Sequence, residues 1–208
     1  MAQFGFPDVS VRTAEFSSTE GELTRSISFD AVKWPRTRGW DVRLRVSVRF
    51  EPIEQVLNEV HPERRSVSVA AKRAYKTVDT LTINLTPPDL AFSAETQDDL
   101  RRAVPRVMDH LQRVAPTFFE HFDTLGSLIT HLKSEQGHIY VPWGVTLVLP
   151  VCLAVTGAPA REVKDWIRRL TEKTPGHPSR VFLKRLGKRF PYLGLHEEFL
   201  DSLPKPRG

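Results

Sequence analysis

The chain has 208 residues, 40% of them hydrophobic and 26% charged, with 30 Lys/Arg against 25 Asp/Glu for a net charge of +5. That balance excludes wholesale disorder and leaves enough chain for a sizeable core, in one large domain or a domain with a helical extension. A single cysteine, Cys152, excludes an intrachain disulfide and, with no basic and apolar leader at the N-terminus, predicts a reducing, cytoplasmic setting.

Residues 1–20 show little periodicity; Phe4, Phe6, Val9 and Val11 suit a short strand or a packed arm. Period-2 alternation begins at 22–30, with Leu23, Ile27 and Phe29 on one side and Thr24, Ser26 and Ser28 on the other. It is cleanest at 40–50. Trp40, Val42, Leu44, Val46, Val48 and Phe50 share one parity, and Asp41, Arg43, Arg45, Ser47 and Arg49 the other. Successive strand residues face opposite ways, so this strand is expected to bury one side and wet the other. A short helix is expected over Glu54–Val60, stopped by His61-Pro62. Two more alternating runs follow, around Val67–Ala71 and Leu81–Leu85. The sum is an antiparallel meander of about four strands.

After Pro87-Pro88 the period changes. Leu100, Ala103, Val104, Val107, Met108, Leu111 and Val114 recur at helical spacing, with Ser93 or Thr96 as cap and a kink or late start at Pro105. Pro116 is expected to end that helix before Phe118, Phe119 and Phe122. Asp123 or Thr124 then caps a helix carrying Leu125, Leu128, Ile129 and Leu132. The last third reads as three helices: an all-round apolar one over Val145–Thr156, one carrying Val163, Trp166, Ile167 and Leu170, and one capped by Ser179 with Val181, Phe182, Leu183 and Leu186. The fold expected is α+β: the meander sheet packed on helices (residues 1–135), with an all-helical C-terminal subdomain (136–208) packed on it. The longest apolar stretch, 144–160, is shorter than the roughly 20 residues of a membrane span, so no membrane partner is expected.

The chemistry is sparse. Cys152 sits in an apolar run with no charge near it to activate a thiolate, which favours a buried structural role. The seven histidines show no helical zinc spacing, and phosphate-binding glycine loops and nucleophile elbows are absent. No catalytic, metal-binding or cofactor-binding residue is assigned, and no cofactor is expected. Basic residues are the notable feature. Arg43, Arg45 and Arg49 line the polar parity of one strand, with Arg36, Arg38, Lys72 and Arg73 as possible flanks and Trp34 or Trp40 as stacking surfaces. Lys184, Arg185, Lys188 and Arg189 cluster on the last helix, and residues 161–208 hold twelve Lys/Arg against six Asp/Glu.

In the order of its segments the chain resembles a group of uncharacterised bacterial domains of unknown function, in which alternating strands lead into a helix with a proline–aromatic stretch. The resembling residues are Arg25–Phe29, Gly39–Val46 and Ala115–Phe122, continuing into Leu125. The likeness spans residues 16–135 and is architectural, and this chain lacks a clear leading helix. It implies a non-enzymatic accessory role of an immunity-like or defence-associated kind and carries over no site residues. The function expected is a protein-interaction module, with an acidic partner surface favoured. The alternative is nucleic-acid binding through the two basic clusters. An enzyme with a site drawn from scattered residues is a third class, which spacing cannot reveal.

Overall fold

A computed structural model of the chain describes residues 8–10, 14–33, 40–61, 81–84, 92–94, 96–134 and 144–204. Among them are six strands: β1 (Asp8–Ser10), β2 (Ala14–Glu20), β3 (Leu23–Lys33), β4 (Trp40–Phe50), β5 (Leu81–Asn84) and β6 (Phe92–Ala94). The helices are α1 (Glu51–Val60), α2 (Gln97–His121), α3 (Leu125–Ser134), α4 (Val145–Val155), α5 (Ala160–Lys173), α6 (Arg180–Arg189) and α7 (Glu197–Asp201), with a 3-10 turn at Pro191–Leu193. The fold is α+β with an antiparallel sheet and a helical C-terminal part. The expected strand around Val67–Ala71, the stacking candidate Trp34 and the flanking Arg36, Arg38, Lys72 and Arg73 lie outside the described residues.

The strands form one sheet in the order β1-β2-β3-β4-β5, with β6 also paired to β4. β5 takes Arg45–Val48 of β4 and β6 takes Trp40–Val42, both antiparallel. The sheet is therefore larger than the four strands expected, and the added strands include β1 and β2. β2 escaped the periodicity because its Ser17, Ser18 and Thr19 blur the apolar alternation. Its register comes from its partner instead: Phe16 stands opposite Ile27, and its ring meets Phe29 edge-on at 6.4 Å. Glu20 and Leu23 flank a two-residue turn whose Gly21 has φ 58°, the left-handed geometry such hairpins require.

The chain divides into two compact units. The first holds the sheet and α2. Its core includes Ile27, Leu44, Val46 and Val48 from the strands and Leu111, Ala115, Phe118 and Phe119 from α2, which packs on β6. α2 starts at a capping box in which the Thr96 hydroxyl accepts from the Asp99 N–H and the Asp99 carboxylate accepts from the Thr96 N–H. Pro116 does not end it; the helix runs on to His121. Pro105 and Pro116 deprive the Arg101 and Gln112 carbonyls of their helical donors, and both of those residues are exposed, where solvent is available to the freed carbonyls. The N-terminal half of α2 is less buried than its apolar spacing suggests: Val104 is exposed, and Ala103, Val107 and Met108 are half-buried.

The second unit is helical and holds α1, most of α3 and α4 to α7. This differs from a boundary at residue 135. α1 buries Ile53, Val56, Leu57 and Val60 and packs on α4 and α6, so it is part of the helical core although it follows β4 directly. α4 is the centre of that core, with every residue from Leu147 to Ala154 buried. It closes in a Schellman motif: Ala158 N–H donates to the Leu153 carbonyl and Gly157 N–H to that of Ala154, with Gly157 at φ 71°. α5 buries Val163, Ile167 and Leu170, whereas Trp166, one position off that stripe, is only half-buried. α6, capped by Ser179, buries Phe182, Leu183 and Leu186 and leaves Val181 exposed.

Candidate interaction groove

Around Ser47 the polar side of β4 is not a fully solvated face. Ser47 is 1% exposed and Ser26, on β3, 3% exposed; their hydroxyl oxygens lie 2.7 Å apart. Arg45 and Arg49, either side of Ser47, are half-buried, and both are engaged in interactions of their own. Arg43 is two residues before Arg45 on β4. The expectation that this side of β4 is wet is thus corrected. Alternation separates polar from apolar positions, but it does not report whether the polar side is covered, and two hydroxyls that satisfy each other tolerate cover.

The C-terminal cluster is built by α6 and its return through α7. Arg180, Lys184 and Lys188 recur every four residues and form one stripe of α6. α7 lies along it, anchored by buried Phe199 and Leu200. Phe199 is flanked by cations of α5, with Lys164 Nζ 5.4 Å and Arg168 Cζ 5.1 Å from its ring centre. The Glu197 carboxylate accepts from Lys184 Nζ at 2.6 Å and from Arg180, which also donates to Asp201 at 2.6 Å. Lys184 and then Arg180 hold the Glu197 carboxyl below its ordinary range, and Asp201 and then Glu197 push the Arg180 guanidinium further up.

The rest of the cluster divides. Arg189 donates from Nε to Glu59 of α1 at 3.0 Å and sits 5.4 Å over the Phe190 ring. Arg185 is half-buried, with its Nη1 shut off from solvent. Lys188 alone of the four is exposed without an ion pair among the described residues. Counting α1 and α3 with the helical unit, its described residues hold eleven Lys/Arg against nine Asp/Glu. Over residues 161–204 alone the count is ten against six, so α1 and α3 offset half of the described basic excess. Glu59, Glu197, Glu198 and Asp201 are members of this site that the sequence patterning does not single out.

Between α6, the 3-10 turn and α7 runs an open groove of about 660 Å³. Its floor is apolar, from buried Leu195 and Leu200, and its exposed rim carries Lys184 and Lys188 on α6, Glu197 and Glu198 on α7, and Pro191 and His196 from the connection between those helices. Leu195 reaches the floor because residue 187 is glycine: a Cβ there would lie 3.0 Å from Leu195 Cβ. A smaller cavity of about 180 Å³, lined by Thr171, Pro178, Leu183 and Leu200, opens beside Arg180. A shallow one of about 320 Å³ follows α5 past Trp166, whose ring lies 5.2 Å from Arg169 Cζ.

Elsewhere, Cys152 is fully buried on α4. Burial raises its thiol above the ordinary 9.0, and the charge of Glu54 on α1 adds to that. Among the described residues no three His, Cys, Asp or Glu gather as a metal site, and no helix is long and apolar enough to cross a membrane. No protein-family model, curated protein or solved structure matches the chain.

Proposed function

We propose that this chain is a non-enzymatic, cytoplasmic protein-interaction module, of an immunity-like or defence-associated kind, and that its partner docks on the groove between α6 and α7. The observation that carries this reading is the groove itself: an apolar floor inside a charged rim, the layout of a protein-binding surface in which a desolvated centre supplies affinity and polar edges supply selectivity. The partner presents an acidic side chain to Lys188, the exposed cation of the cluster left outside the ion pairs. Nucleic-acid binding is the weaker reading. Lys184 and Arg189 already neutralise carboxylates, and Arg45 and Arg49 are half-buried, so among the described residues of the two clusters few cations remain to displace counterions from a phosphate backbone.

The test is a quantitative affinity capture from the source cell with three baits: the wild-type chain, Lys188→Glu, and Arg161→Glu as a control on exposed α5. A specific partner is expected with wild type and Arg161→Glu, and its recovery falls several-fold with Lys188→Glu. Identical recovery with all three baits excludes the groove as the docking surface.

A further inference from the structure

We infer that the groove selects an extended peptide segment of mixed charge: an apolar residue for the floor, flanked by one carboxylate and one basic side chain. This rests on the groove being the docking surface and specifies what it takes. The inference follows from which rim charges are already used. Lys184 and Glu197 face each other at 2.6 Å and cancel. Lys188 and Glu198 line the same groove, are both exposed, and form no ion pair with any described residue. The rim therefore offers one open cation from α6 and one open anion from α7, lining the same groove as the buried Leu195 and Leu200. A wholly acidic segment satisfies Lys188 and is repelled by Glu198; a wholly basic one meets the reverse. Only a segment carrying both signs pairs with both walls. The charges lie on a solvent-facing rim, so each contributes modestly and acts on selectivity, while the floor supplies the apolar contact.

Three acetylated, amidated hexapeptide sets with a central Leu-Leu provide the probes: one flanked by Glu and Lys, one by Glu on both sides, one by Lys on both sides. Binding to the full chain is measured by NMR titration at low ionic strength, following the amides of Gly187, Leu195 and Leu200. Wild type is expected to favour the mixed set by about two- to five-fold over either single-sign set. Lys188→Glu moves the preference to the Lys-flanked set, and Glu198→Lys moves it to the Glu-flanked set. The double exchange Lys188→Glu/Glu198→Lys restores preference for the mixed set. These exposed substitutions are not expected to disturb folding, which the amide spectra check directly. Equal binding of the three sets by wild type overturns the inference, as does absence of any groove shift at millimolar peptide. Either result leaves the capture comparison to be judged separately, because a partner that docks as a folded surface is lost with Lys188→Glu without discriminating among peptides.

Discussion

The hydroxyl of Ser26 on β3 meets that of Ser47 on β4 at 2.7 Å, and both residues are buried. Each satisfies the other in a place water does not reach. Removing one is therefore worse than removing both. Ser47→Ala or Ser26→Ala alone strands a buried hydroxyl and should cost about 1–3 kcal/mol. The double alanine variant removes both polar groups and should be less destabilised than the two single effects added together. Urea denaturation of the four proteins gives the cycle; strictly additive effects would show that the two hydroxyls do not depend on one another.

Gly187 sits where α6 passes Leu195. A methyl group at 187 would lie 3.0 Å from Leu195 Cβ, with the Leu195 carbonyl oxygen at 3.5 Å and its Cα at 3.7 Å, so the backbone of the buried Leu195 would have to give way along with its side chain. Helix propensity favours alanine over glycine by about 1 kcal/mol, but overpacking costs about 1–3 kcal/mol, so Gly187→Ala should be net destabilising. Gly194, at φ 57°, is a different case. Its nearest neighbour is the flexible end of Lys164, so the cost of Gly194→Ala comes from the left-handed backbone, about 1–2 kcal/mol. Thermal midpoints of both variants, with Gly126→Ala on α3 as an unstrained comparison, separate the two mechanisms; a stabilised Gly187→Ala would mean that Leu195 yields.

These contacts mark what the sequence could and could not reveal. The alternation of Leu44, Val46 and Val48 announced β4 and its buried side, because that pattern is local. The helix starts at Thr96, Thr124 and Ser179 were legible for the same reason: a cap is a matter of a few neighbouring residues. The cover over Ser47 was not legible, since alternation carries no information about what lies above a polar position. Nor was the membership of α1 in the helical unit. Glu59 meets Arg189 across 130 residues, and no spacing rule connects them. The candidate groove failed to appear for the same reason. Lys184 and Lys188 were visible as basic residues, but the carboxylates that sort them into used and unused charges arrive on a five-residue helix that follows the 3-10 turn. Trp166 is a partial case: its helical spacing places it at the edge of the Val163–Ile167–Leu170 stripe, where it is half-buried rather than in the core.

The Glu197 hub makes a pH prediction. Its carboxyl titrates below the ordinary 4.5 in the folded chain, because Lys184 and Arg180 favour the charged form. Below 4.5 the unfolded state binds more protons than the folded state, so this contribution is fully present above 4.5 and is lost as pH falls through the lowered value. Glu197→Gln should therefore lower the thermal midpoint at pH 7, with the difference from wild type closing as the pH is taken below 4.5. The pairs are exposed, so raising salt should shrink the pH 7 difference as well. A difference that persists unchanged at acid pH would assign the effect to packing of α7 rather than to the charge.

The internal pairing of the basic cluster sets an expectation for polyanions. If Lys184 and Arg189 are held by Glu197 and Glu59, oligonucleotides must compete with those carboxylates to reach them. Single- and double-stranded probes should then bind weakly at 50 mM salt, with a shallow dependence on salt that reflects only a few phosphate contacts. Fluorescence anisotropy across a salt series measures this. A steep slope would return the nucleic-acid reading to first place, and Glu59→Gln, which releases Arg189, should steepen it.

Cys152 is the chain's only thiol, and its setting argues for chemical silence. Alkylation requires both access and the thiolate. Access is denied because the residue is 0% exposed in the middle of α4, between buried neighbours on every side of that helix. The thiolate is denied because burial, reinforced by the charge of Glu54, raises the thiol above its ordinary 9.0. Burial is the larger cause, so Glu54→Gln should leave the native thiol nearly as inert as before. Reaction with iodoacetamide at pH 8 should be negligible in the native protein and follow the unfolded fraction across a urea titration, making Cys152 a reporter of opening of the helical unit. Cys152→Ala is expected to be milder than Cys152→Ser, because serine adds a stronger polar group to an apolar site. Rapid alkylation of the native chain, at a rate independent of urea, would show instead that α4 opens to solvent without unfolding, and would make this thiol a target to be mapped rather than a packing residue.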